Sequence, residues 1–95
     1  LSDLEEGNRA LRKRLAAERL AAAPAQVQTI KLADLISNTR SIVARDPDFA
    51  VVYLREKRDL LAVLTNGDAA LYAQAVEILI AGENAISLHI GKPYP

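Results

Sequence analysis

Ninety-five residues carrying 12 basic and 12 acidic side chains and no net charge suit one small domain; that balance argues against disorder or a general nucleic-acid-binding role. With no cysteine the chain has neither disulfides nor thiol chemistry. No apolar run approaches the ~18 residues that cross a bilayer, and residues 1–22 are too charged for a secretory signal, so a cytoplasmic protein without a membrane partner is expected.

Aromatic residues are few, one Phe and three Tyr, so the core must come from Leu, Ile, Val and Ala. Helix packing follows. Ser2 or Asp3 caps a first helix, with Glu5 and Glu6 at its positive end. Gly7 weakens the opening turns and moves the regular start toward Asn8. Leu4, Leu11, Leu15 and Ala22 share one face, and Arg9, Arg12, Lys13 and Arg14 crowd the others. Pro24 ends this helix, with residues 23–26 as a short connection.

A central helix runs from about Gln26 to Ala44. At about 100° per residue it shows three stripes. Leu32, Leu35, Ile36, Thr39, Ile42 and Val43 are mainly apolar. Ala33, Ser37 and Ala44 are small. Lys31, Asp34, Asn38, Ser41 and Arg45 are polar. The pattern predicts a helix surrounded on most sides, in which Lys, Asp and Asn need pairing, hydrogen bonding or a metal. Taken alone, Asp34 is a carboxylate paired with Lys31 or Arg45.

Asp46 as N-cap and Pro47 in the first turn start a third helix, expected to reach Thr65. Its core face is Phe49, Ala50, Tyr53, Leu54, Leu60, Leu61 and Leu64, with Arg58 on the opposite side. Asn66 and Gly67 end it, Gly67 in a left-handed conformation. Asp68 caps a fourth helix to about Ala81, with Leu71, Ala75, Ile78 and Leu79 inside. Gly82 argues for a break without forcing one. Residues 83–95 read as a helical continuation that frays before Gly91, then coil. His89, the only histidine, suits a structural or solvent-facing role.

Lys31-Leu32-Ala33-Asp34, followed by Asn38 and Arg40, resembles the last motif of HD-domain phosphohydrolases. Among these it is similar to the small alarmone hydrolases, which remove a diphosphate from guanosine tetra- and pentaphosphate. Asn8 to Leu15 resembles the basic helix before that motif, and Asp46 to Phe49 with Tyr53 to Lys57 resembles the helix after it. The likeness covers roughly residues 7–67. It implies an all-α, four-helix HD-like bundle that lacks the family's N-terminal helices.

The resemblance also implies roles. Asp34 would be one ligand of a divalent metal of the manganese kind, which activates water for attack on phosphate. Asn38 would be the candidate catalytic residue and touch the nucleotide. Lys31 would neutralise phosphate charge, and Arg12 and Lys13 would clamp substrate phosphates. Arg40 points elsewhere and suits a structural ion pair. The family's His, His-Asp and Glu-Asp elements have no counterpart here. A metal is therefore expected only in a complete HD domain, and none for this chain alone.

Three readings remain open. The first is the C-terminal portion of a phosphohydrolase, inactive alone, whose partners are the N-terminal half and a nucleotide. The second is a non-catalytic interaction module derived from an HD domain. The third is an unrelated bundle. In either of the first two, three other helices do not suffice to cover Ala33, Ser37 and the Asp34 row, and a symmetric homodimer is expected.

Overall fold

Several helix boundaries in the computed structural model trace to short-range instructions. The structure describes residues 2–94, with side chains from Gly7 onward. Four helices follow one another: α1 (Ser2–Ala21), α2 (Ala25–Arg45), α3 (Pro47–Leu61) and α4 (Ala69–Ile90). No strand occurs among the described residues. The expected side-chain caps at Ser2 and Asp3, and the placement of Leu4, Glu5 and Glu6, lie outside the described side chains. Helix α1 runs through Gly7 rather than starting near Asn8.

Two aspartates cap helices as their positions suggest. Asp46 accepts the Phe49 N–H at 3.3 Å, with Pro47 in the first turn of α3. Asp68 accepts the Leu71 N–H at 2.9 Å. Such caps satisfy backbone donors that the helix itself leaves free, each contributing about 1 kcal/mol.

Helix α3 stops at Leu61, short of Thr65, and residues 62–67 turn back toward α2. There the expected left-handed Gly67 is corrected: the positive backbone angle belongs to Gly91, at φ 73°, which ends α4. Gly67 serves close approach instead. A Cβ on it would stand 2.6 Å from Leu32 Cδ1 and 3.3 Å from the backbone of Gln28 and Thr29. Gly82 breaks nothing, because the helix needs it where α4 crosses its neighbours. A Cβ there would meet Leu54 and Val43 side chains at 3.2 Å.

The core lies where α2, α3 and α4 meet. Leu32, Leu35, Leu54, Leu64 and Ile86 are essentially inaccessible, and burying each side chain stabilises the fold by about 1.5–3 kcal/mol. Ile42 and Val43 lie at its edge, half-buried, and Phe49 is exposed rather than in the core face. Arg58, expected on the outer side of α3, folds back to grip the nearly buried Glu83 of α4 with two donors. The chain after Gly91 is tied down by the Tyr94 hydroxyl, which donates to the Val51 carbonyl at 2.6 Å.

Helix α1 is the outlier. It touches α2 only lightly and turns Lys13, Arg14, Ala17 and Leu20 toward α3, leaving Leu11 and Leu15 exposed. Arg9 reaches Glu56 with two hydrogen bonds, at 3.0 and 2.9 Å. The expectation of an α2 enclosed on most sides is likewise corrected. Its neighbours occupy one side, and Ile30, Ala33, Asp34, Ser37, Ser41 and Ala44 face solvent.

Candidate functional site

Spacings of three and four on α2 bring Lys31, Asp34 and Asn38 into one bonded row. Lys31 Nζ donates to Asp34 Oδ2 at 3.4 Å, and Asn38 Nδ2 donates to Oδ1 at 3.1 Å. Both carboxylate oxygens are thus engaged, Oδ2 by Lys31 rather than Arg45 and Oδ1 by Asn38. The Asp34 side chain is 50% exposed, so the row stands at the surface and its pairing is not imposed by burial.

Beside the row lies a groove of about 500 Å³ between α1, the first half of α2 and the second half of α3. Lys13 and Arg14 enter it from α1, Lys31 from α2 and Lys57 from α3. Ala17, Leu20 and Leu60 supply apolar lining. Of its two acidic residues, Glu56 is already clasped by Arg9, whose guanidinium also lies 5.8 Å from the Phe49 ring centroid. Asp59 is the other.

Lys57 registers the crowding. Burial pushes its ammonium below the usual lysine range, and the charges of Lys13 and Lys31 push the same way. Glu56 and Asp34 oppose them, so Asp34 acts electrostatically on the groove as well as on its own row. The ammonium also sits 5.1 Å from the Tyr53 ring centroid. An arrangement of cations short of counter-charges is suited to an anion with several oxygens.

Deeper between α2 and α3, the hydroxyls of Thr39 and Tyr53 are buried. They neighbour each other without reaching hydrogen-bond geometry, and neither has another partner among the described residues. Burial pushes the Tyr53 phenol above its ordinary value.

Of the residues singled out from sequence, Lys13 and Lys31 enter the groove, while Asp34 and Asn38 extend along α2 beside Lys31. Arg12 is exposed and does not line the groove. Arg40 is exposed and has no carboxylate partner among the described residues, against the ion pair expected for it. His89 faces solvent, 3.1 Å from Asp48. Sequence reasoning missed Lys57 and Arg14. The four-residue step from Tyr53 to Lys57 puts both on one face of α3, but only the fold shows that this face meets the basic side of α1.

The described residues of this chain do not by themselves enclose a metal ion. Among the described residues no three His, Asp or Glu side chains converge, and the oxygens of Asp34 are occupied by an ammonium and an amide.

Fold and groove together define a class: an all-α bundle with a cationic cleft along one side. No protein-family model, curated protein or solved structure matches the chain.

Proposed function

We propose that the chain is the phosphate-recognising C-terminal portion of an HD-type phosphohydrolase for guanosine tetra- or pentaphosphate or a related nucleotide, inactive alone. The observation that carries this reading is the Lys31–Asp34–Asn38 row beside a groove that gathers Lys13 and Lys57. Lys13, Lys31 and Lys57 would hold phosphate oxygens, and Asn38 would orient the nucleotide. Asp34 would release its intrahelical partners to serve a metal whose other ligands come from the N-terminal half. A ligand holds the ion directly, whereas a positioning contact mainly sets the rate.

The test supplies that half, fused or as a separate polypeptide carrying the His, His-Asp and Glu-Asp elements. Asp34→Ala then abolishes metal-dependent hydrolysis of guanosine tetraphosphate, and Asn38→Ala slows it with the metal retained. Full activity of Asp34→Ala in the reconstituted enzyme overturns the assignment. Titrating pyrophosphate into the chain alone probes the groove separately: Lys13→Ala and Lys31→Ala weaken binding, and Arg12→Ala does not.

The second reading, a non-catalytic interaction module of HD descent, is favoured by the solvent-facing side of α2, where Ile30 is 69% exposed next to Ala33 and Ser37. Failure of pyrophosphate to bind, together with an inactive reconstituted enzyme, overturns the phosphohydrolase reading.

A further inference from the structure

Leu11 and Leu15 of α1 point away from the rest of the molecule, whereas Leu20 packs against the core. Leu11 is 43% and Leu15 45% exposed, and Asn8, Glu18 and Ala22 on the same stripe are exposed too. Their steps are three and four residues, the alternation of a two-helix seam. The opposite side of α1 is held by Arg9 on Glu56 and by the Gln28 amide on the Leu20 and Ala21 carbonyls. The stripe is therefore fixed outward by the fold.

Its two polar members select the occupant. In a parallel pair of α1 helices, Glu18 would face Glu18 and Asn8 would face Asn8, and two like charges would meet in the seam. In an antiparallel pair centred between Leu11 and Leu15, the Asn8 amide meets the Glu18 carboxylate at both ends. Leu11 meets Leu15 twice between them. Only the antiparallel pairing satisfies every member, and a two-fold axis generates it from identical copies.

We infer that α1 is the contact surface of an antiparallel homodimer, a second copy of the chain covering Leu11 and Leu15 with Asn8 and Glu18 bonded across the axis. This does not depend on the phosphate reading, because the groove uses the opposite side of α1. A seam of about three helical turns, roughly 15 Å from Asn8 to Glu18, falls short of a standard stable interface. Arg12 stands beside it, opposite its own copy. The dimer is accordingly reversible.

The experiment uses the full chain. Sedimentation across a micromolar-to-millimolar series gives a mass rising from one copy to two. Leu11→Ser with Leu15→Ser removes only solvent-facing leucines, so the helical signal and melting of the dilute monomer persist while the dimer is lost. A chain without cysteine permits clean cross-linking. Asn8→Cys with Glu18→Cys gives a disulfide-linked dimer on mild oxidation, whereas either single substitution gives none. A wild type monomeric throughout the series overturns the inference. So does a dimer that survives the leucine substitutions, or a single-cysteine variant that cross-links efficiently to its own copy.

Discussion

The side-chain oxygen of Gln28 accepts the backbone N–H of Asn66 at 2.9 Å, while its amide nitrogen donates to the Leu20 carbonyl at 2.8 Å. One wholly buried glutamine thus joins the end of α1, the first turns of α2 and the turn after α3. Thr29 next to it accepts the Asp68 N–H at 2.8 Å and carries the junction on to α4. A buried amide is tolerated because its donors and acceptor are used.

Gln28→Ala is expected to lower stability by about 2–4 kcal/mol, from lost hydrogen bonds and an unfilled space. Gln28→Glu keeps an acceptor for Asn66 but places a carboxylate against the Leu20 carbonyl. A carboxyl buried there titrates above the ordinary ~4.3. Its folded form binds more protons, so the loss is large at neutral pH and shrinks on acidification, when the protonated group again donates. Urea unfolding of both variants at neutral pH and at about pH 4 checks the order. Equal loss for Glu at both values would show that the carbonyl contact is unimportant.

Lys57→Met tests the cost of gathering cations. The folded ammonium lies below its ordinary value, so the unfolded chain binds more protons between the lowered value and 10.5. Wild-type stability therefore gains a contribution as pH rises through that window. Lys57→Met lacks this gain and is more stable than wild type at neutral pH by a few tenths of a kcal/mol, because partial exposure screens the effect. The same variant binds pyrophosphate more weakly. Thermal melts from neutral to alkaline pH, taken as the difference between the two proteins, isolate the term. A variant less stable at neutral pH would mean that the packing of Lys57 over Tyr53 outweighs the repulsion.

The two unpartnered hydroxyls make a cleaner case. Thr39→Val and Tyr53→Phe each remove a buried polar atom without a hydrogen bond and nearly preserve shape. Each is expected to raise stability by about 0.5–1 kcal/mol. Tyr53 adds a pH signature: its raised folded value means stability present below 10.0 is lost as pH climbs through that raised value. Tyr53→Phe removes this loss. Denaturant midpoints read both effects, and a destabilised Tyr53→Phe would show that the hydroxyl has a water partner.

Gly67→Ala forces a methyl to within 2.6 Å of Leu32 Cδ1 beside the Gln28 and Thr29 backbone. The leucine end can rotate, but the backbone cannot, so a loss of about 1–3 kcal/mol is expected. Leu32→Ala in the same chain relieves part of the clash, and a double-mutant cycle measures the coupling. Additive effects would mean that the turn shifts as a body.

The local rules were legible in the residues themselves. Asp46 with Pro47, and Asp68, mark helix starts because a short acceptor ahead of an apolar-periodic run satisfies free N–H groups wherever it stands. The stripe of Leu32, Leu35 and Ile36 marks a buried face for the same local reason, and the row of Lys31, Asp34 and Asn38 is fixed by helical spacing. What lies across from each stripe is a property of the whole molecule. Periodicity identified the leucine face of α1 but not its direction, which is decided by Arg9 meeting Glu56 and by Gln28 gripping the end of that helix. Gly67 reads as a turn residue in sequence, yet its use is to let Leu32 pass. Lys57 is an ordinary exposed-type residue until three helices bring it against Lys13 and Lys31. Short-range hydrogen bonding and side-chain period belong to the sequence. Which charged faces meet, and which leucines are left at the surface, depends on contacts between residues tens of positions apart, and only the tertiary structure decides them.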